Sequence, residues 1–469
     1  MNIDFLKKLY QSRLVKSGIW FTIGTFCIQG INFLTVPILT RLLSTSDFGT
    51  VGIYTVYVTI LTSIISLGLE SAVNTGKFDF KEDFDGFLSS ILFLSTIPLL
   101  IGLIIALIFK QFIAAKLGIS PNLVNILVFQ SFFTFVISFA TTRYSVEYKY
   151  KKFLIVSITS TLLNVLLSIA WIQRLNVDKY YGRIYGSALV VIVYGVILYA
   201  IFIIKGKKLI NLKYWKYALG ISVPLVFHIL SQIILTSADT IMIGNMVGKS
   251  AAGIYNFSYK IGMILSIVWM AANKAWVPWF FGKMDEKNYD EISEKVRYYI
   301  ILFSLISFVL IFISPEVSSI MGTKAYLEGI QMVPLIMIGY YFAFLYSIPV
   351  NLEFYTKNTK YIALGTVLAA VANIGLNYIL IPRFGYMAAA WNTIVSYFLL
   401  FVYHYIIALK VSDIRICNIK DFIYGISFIA VISVIFYVSR DIWIIRYTMI
   451  ILAGILGILV LKKRLAKAK

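Results

Sequence analysis

The chain has 469 residues, 60% of them hydrophobic and only 13% charged, with a formal net charge of +21. A soluble globular domain carries about 25% charged residues, and the long apolar runs that recur here do not alternate as barrel strands do, so soluble and β-barrel folds are both excluded. The basic residues fall in short connections between those runs, where they report membrane topology and not a nucleic-acid surface.

The predicted fold is an all-α polytopic membrane protein of about fourteen transmembrane helices. The spans fall at 16–40, 50–74, 87–109, 121–142, 153–173, 184–205, 217–243, 252–277, 297–320, 329–354, 360–381, 386–409, 421–439 and 442–461. The first follows the basic stretch MNIDFLKKLYQSRLVKSG. Its apolar run is too long for a signal-peptide core and no small-residue cleavage site follows, so an uncleaved first span is expected. It carries Cys27, Gln29 and Asn32 and closes on Arg41. Amides within a span either bond neighbouring helices or meet ligand hydroxyls. Span 2 runs to the neighbourhood of Glu70, and span 4 ends on Arg143 and Glu147, a local i,i+4 pair. Span 7 holds His228 and Asp239, within about 20° on one helix face. An acid and an imidazole on one intramembrane face are candidates for a proton or sodium site, with packing of His228 and helix-end capping by Asp239 as the structural alternative.

Span 8 carries two lysines, Lys260 and Lys274, within roughly 40° on one face of a continuous helix. A lysine at the bilayer centre costs about 2.5–3.5 kcal/mol, which implies a wet cavity or an anionic partner. Lys260 lies roughly 12 Å from the outer end of the span, beyond easy snorkelling; its structural alternative is a buried pair with Asp239 or Glu353. Lys274 lies beside Trp276, Pro278 and Trp279, an interfacial belt where a lysine can snorkel. On span 10, Tyr340, Tyr341 and Tyr346 read as ordinary packing.

The connections on the side of the N-terminus hold about 29 Lys and Arg residues against about 11 on the other, which predicts both termini in the cytoplasm and an even number of spans. No connection is long enough to hide a soluble domain. The two cysteines, Cys27 and Cys417, have no spacing for a disulfide or a metal site. With two histidines and no HExxH, CxxC, GxSxG or phosphate-loop pattern, no cofactor and no enzyme active site are implied.

Sliding the chain by 204 residues lays RLLSTSDFGTVGIY over NMVGKSAAGIY and its flank, with Gly49 on Gly253. A second pairing joins the region around YGRIYGSAL to RFGYMAAAW at nearly the same offset. The offset covers six spans, an even number, so the copies are parallel repeats with a ligand path expected between them. The expected lobes are 1–210 and 211–412, followed by an appendix at 413–469 with spans 13 and 14 and a basic tail. The offset also sets Lys274 on Glu70 (274 minus 204), opposite charges that form a candidate gate.

PILTRLLSTSDFGTVGIY with GLESAV, ADTIMIGNMVGKSAAGIY and NYILIPRFGYMAAAWNT resemble the Wzx-type polysaccharide flippases of the multidrug/oligosaccharidyl-lipid/polysaccharide exporter superfamily. The resemblance covers nearly the whole chain. It implies translocation of undecaprenyl-diphosphate-linked oligosaccharide from the cytoplasmic to the outer leaflet of the bacterial cytoplasmic membrane, through a cationic cavity that spans 1, 2, 7 and 8 line and that alternates its access. On that reading Lys260, Lys274 and Arg41 are the cavity cations, Gln29 and Asn32 meet sugar hydroxyls, and Glu70, Asp239 and His228 serve gating or coupling to H+ or Na+. Polysaccharide polymerase and glycosyltransferases are the expected protein partners. The competing expectations are a flippase for a lipid-linked cell-wall precursor and a cation-coupled multidrug antiporter of the same superfamily. A membrane glycosyltransferase or polymerase is disfavoured by the short loops.

Overall fold

The computed structural model describes residues 13–412, 414–416 and 418–467, and within these the side chains from 16 to 455. Lys7, Lys8, Cys417 and the side chains of the basic tail lie outside the described residues. Thirteen described helical segments are long and apolar enough to cross a membrane, and Trp443–Ile455 adds a shorter apolar helix. The polytopic all-α expectation holds.

Local chemistry sets the helix ends. α1 (Arg13–Leu42) gives way to α2 (Thr45–Ile65) across a Ser44–Asp47 capping box, in which Ser44 accepts from the Asp47 N–H and the Asp47 carboxylate accepts in return. The sequence reads span 2 as one helix through Glu70; instead the chain turns at Leu67 and Gly68, both at positive φ, and α3 (Glu70–Asp79) begins afresh. Span 3 is likewise divided, into α4 (Phe84–Leu94) and α5 (Thr96–Ile108). A short α6 (Lys110–Leu117) ends at Gly118, whose φ of +64° suits a residue without Cβ. Then follow α7 (Pro121–Val146), α8 (Tyr150–Arg174), α9 (Tyr180–Gly206) and α10 (Leu212–Met246). Asn211 caps α10 by accepting from the Lys213 and Tyr214 N–H groups.

Span 8, on whose continuity the roughly 40° separation of its lysines depends, has a one-residue interruption at which the backbone stays in the right-handed helical region (φ −67°, ψ −8°). It consists of α11 (Lys249–Gly262) and α12 (Ile264–Asp285), broken at Met263. The remaining helices are α13 (Tyr289–Met321), α14 (Met332–Tyr355), α15 (Thr359–Phe384), α16 (Tyr386–Val411), α17 (Ile419–Ser439) and α18 (Trp443–Lys467).

Contacts group the chain into two compact units, residues 1–253 and 254–469. In the first, α7 is central and packs on α2, α3, α5, α6 and α9. Its Phe132, Phe135 and Phe139 are buried, and Phe139 meets Phe202 of α9 edge-on at 5.4 Å. α8 and α9 approach most closely where Gly182 and Gly186 face backbone: a Cβ on either would come within 2.6 Å of Ile172 N or Ser168 Cα. This is the small-xxx-small device by which membrane helices gain contact without a hydrophobic driving force. Gly49 and Gly253 also face each other at the starts of α2 and α11. A Cβ on Gly49 would collide with the Lys249 carbonyl oxygen, one on Gly253 with that of Thr45, and Thr45 Oγ1 lies 2.6 Å from Ser250 Oγ.

In the second unit α14 is central and almost wholly buried against neighbours that include α12, α13, α16 and α17. The contact division at 253 differs from the lobe boundaries at 210 and 412 because α10 packs against α2, α3 and α4. Packing and sequence correspondence are separate divisions of the chain, and the lobe boundaries rest on correspondence alone.

Candidate functional site

In the first unit the polar residues expected along α1 sit on its surface. Gln29, Asn32 and Arg41 are exposed, and Arg41 turns back on its own helix, Nη1 donating to the Pro37 carbonyl at 2.6 Å. Glu70 opens α3 directly after the Leu67–Gly68 corner. It is half-buried, and its Oε2 finds no hydrogen-bond partner among the described residues.

His228 and Asp239 share α10 but are not brought together, since eleven helical residues separate them by about 16 Å. Asp239 is buried two turns inside the helix, which runs on to Met246, and so does not cap it. His228 is half-buried, with no partner for Nδ1 among the described residues.

A polar seam that the sequence does not announce crosses the same unit. Tyr54 OH donates to Gln130 Oε1 at 2.9 Å, and the Gln130 amide reaches Ser187 Oγ at 3.3 Å. Asn164 Nδ2 donates to Ser187 Oγ at 2.9 Å, while Arg183 Nη1 donates to Asn164 Oδ1 at 2.5 Å and to Ser168 Oγ at 2.7 Å. Among the described residues no carboxylate lies within 4 Å of Arg183. Sequence reasoning counts Arg183 with the outer connections; it is a cation in the first turn of α9, set between two helices. The one available signal is its place between Gly182 and Gly186, which draw it into the α8–α9 seam.

At the opposite, basic end Arg143 pairs with Asp85 and, at 3.1 Å, with Glu147, as the i,i+4 spacing predicts. Lys205 joins Asp85 at 2.9 Å and Lys208 joins Asp83 at 2.6 Å. Burial raises the Glu147 pKa, but the hydrogen bond from Lys149 and the charge of Arg143 outweigh it, and the carboxyl titrates below its usual range. Of these groups Asp83, Asp85 and Glu147 line an open cavity of about 420 Å³, together with Lys77, Lys81 and Glu82.

In the second unit the two lysines of span 8 differ. Lys260, on α11, is half-buried; Lys274, on α12, is exposed. Trp276 stacks on Tyr299 at 4.5 Å and lies 4.9 Å from Trp279, so the aromatic belt predicted beside Lys274 is packed into protein on one side. Glu353 does not serve Lys260. Its Oε1 lies 2.7 Å from His404 Nδ1, and both side chains are fully buried. Glu353 Oε2 and His404 Nε2 have no further partner among the described residues. The tyrosines of α14 pack, as expected: Tyr340 OH donates to Tyr259 OH at 3.0 Å, Tyr341 OH meets Ser304 Oγ at 2.7 Å, and Tyr346 stacks on His404 at 5.7 Å.

The sequence matches the family model described as "Polysaccharide biosynthesis protein" over residues 14–284. It is 22% identical over 377 residues to "Lsg locus putative protein 1" of Haemophilus influenzae, covering 76% of this chain and 89% of that protein. The fold is similar to that of the lipid II flippase MurJ in an inward closed conformation, with a TM-score of 0.76 and 17% identity over 96% of this chain and 100% of that one. It is also similar to an inward-facing multidrug resistance transporter of the MATE family, with a TM-score of 0.63 and 14% identity over 82% of this chain and 95% of that one.

Proposed function

This chain belongs to the polysaccharide biosynthesis protein family, and on that premise we propose that it is a flippase for undecaprenyl-diphosphate-linked oligosaccharide repeat units in surface-polysaccharide assembly. It is a multi-pass membrane protein. On this reading it lies in the bacterial cytoplasmic membrane with both termini in the cytoplasm, and works with the polymerase and glycosyltransferases of the same polymer. It carries the head group to the outer leaflet by alternating access while the polyprenyl tail stays in lipid.

The observation that carries the reading is Lys260, a half-buried cation on a membrane-spanning helix of a chain in this family. Taking a diphosphate out of water is prohibitive unless fixed charges and donors replace its hydration. Lys260 is assigned to the diphosphate or an acidic sugar, Lys274 and Arg41 to its approach and exit, and Gln29 and Asn32 to sugar hydroxyls. Arg183 adds a cation already held in place by Asn164 and Ser168. Asp239 and His228 are assigned to coupling with H+ or Na+, which selective ionophores would separate.

Lys260→Ala is expected to leave the protein in the membrane and to accumulate lipid-linked oligosaccharide on the cytoplasmic face. Normal export in that variant would sink the assignment. Glu70 and Lys274 are assigned as gating charges: reversal of either lowers export, and reversal of both together restores it. Failure of the double reversal removes that assignment. A lipid-linked cell-wall precursor is the second reading, favoured by the likeness in fold to the lipid II flippase. The same accumulation assay separates the two by the head group that builds up.

A further inference from the structure

A groove between α13 and α17, in the second unit, has no part in the transport reading. It encloses about 490 Å³, and its walls include Ile301, Leu305, Tyr424 and Phe428. Ile301 is 50% and Tyr424 69% exposed, on segments apolar enough to cross a membrane, so the groove opens toward lipid. At one end stand Arg297, Asn418, Lys420 and Asp421.

The charges at that end do not cancel. Arg297 Nε donates to Asp421 Oδ1 at 2.9 Å, so these two neutralise each other. Among the described residues no carboxylate lies within 4 Å of the exposed Lys420, which leaves one net positive charge at the mouth of an apolar groove. Asp421 is buried and its Oδ2 has no hydrogen-bond partner among the described residues, so an acceptor is also left unmet there. A basic mouth on an apolar groove between spans matches the amphiphilic shape of an anionic phospholipid.

We propose that this groove is a binding site for a phospholipid of single net negative charge whose head group carries hydroxyls, that is, a phosphatidylglycerol. The phosphate meets Lys420 and the remaining N–H groups of Arg297. A head-group hydroxyl donates to Asp421, and an acyl chain lies along Ile301, Leu305 and Phe428. A choline phospholipid has no net charge to match Lys420 and no donor for Asp421. The site is independent of which lipid-linked saccharide the protein moves.

Native mass spectrometry of the full chain in detergent, titrated with phosphatidylglycerol or phosphatidylcholine of identical acyl chains, tests the site. Phosphatidylglycerol is expected to be retained about tenfold better, and Lys420→Gln to cut that preference about fivefold, from about 1 kcal/mol per basic group. Lys420→Gln breaks no described side-chain contact, so it avoids the loss of folding that Arg297→Gln risks by uncovering Asp421. Ile301→Trp, which narrows the groove from the lipid side, is expected to lower retention of phosphatidylglycerol. Equal retention of the two lipids, or a preference unchanged by Lys420→Gln, would overturn the proposal. So would undecaprenol displacing phosphatidylglycerol equally from wild type and Lys420→Gln, since the groove would then hold an isoprenoid tail.

Discussion

Glu353 and His404 form an interior pair whose energetics follow from burial. Removing one partner strands the other: His404→Ala leaves Glu353 in a dry core and is expected to cost about 3–5 kcal/mol, read as a large fall in thermal unfolding temperature in detergent. Glu353→Leu combined with His404→Leu removes both polar groups and is expected to recover most of that loss. A His404→Ala variant that melts with the wild type would show that the pair is not sealed from water. None of this was legible beforehand. Helical periodicity says which face a residue occupies, and these two lie 51 residues apart on different helices. The rule that a buried charge has a partner holds for Glu353, whose partner is His404 and not Lys260, for which Glu353 was one of two structural alternatives. Arg183 was missed for a different reason. A boundary uncertain by three or four residues decides whether a cation is counted in a loop or in a helix, and Arg183 stands within that margin. The pair of Arg143 with Glu147 was legible because both partners lie on one helix, four residues apart.

Helices were legible where their apolar pattern is unbroken, and less so where one span contains two. The corner at Leu67–Gly68 and the break at Met263 lie inside stretches that are long and apolar enough overall to read as single spans, so span-length composition did not mark them. The second break falls between the two lysines of span 8, so their predicted separation on one face holds only as far as the helix direction carries across Met263. Gly-for-contact positions are the converse case, visible in sequence but not interpretable until the neighbour is known. Gly186 of α9 meets the backbone of Ser168, which cannot retreat as a side chain would. Gly186→Leu is expected to push α8 and α9 apart, with a loss of about 1–3 kcal/mol in stability. Leu189→Ala, on the exposed face of the same helix, is expected to change little. Equal melting of the two variants would show that the close approach contributes nothing. Gly49 and Gly253 belong here too: an offset of 204 residues pairs them in sequence, and in the fold they touch.

For the molecule as a whole, the number and kind of spans followed from composition, because only helices satisfy their own backbone in lipid without closing a barrel. The orientation proposed from the basic bias is open to direct measurement. In a background without Cys27 and Cys417, Val177→Cys, 77% exposed between α8 and α9, is expected to react with a membrane-impermeant thiol reagent in intact cells. Lys287→Cys, between α12 and α13, is expected to react only after permeabilisation. The reverse pattern would invert the topology and the direction of transport argued from it. The central place of α14 has a consequence for how the chain is made. During synthesis α14 reaches the membrane before α16 and α17 exist to cover it. Glu353 must then wait for His404, which at about 5–20 residues per second takes roughly 3–10 s. For those seconds a carboxyl that ends in a dry core faces lipid or the insertion machinery alone. The second unit therefore holds its most vulnerable moment before it is complete, and damage to α16 will be felt first as failed insertion and degradation of nascent chains, ahead of any defect in transport.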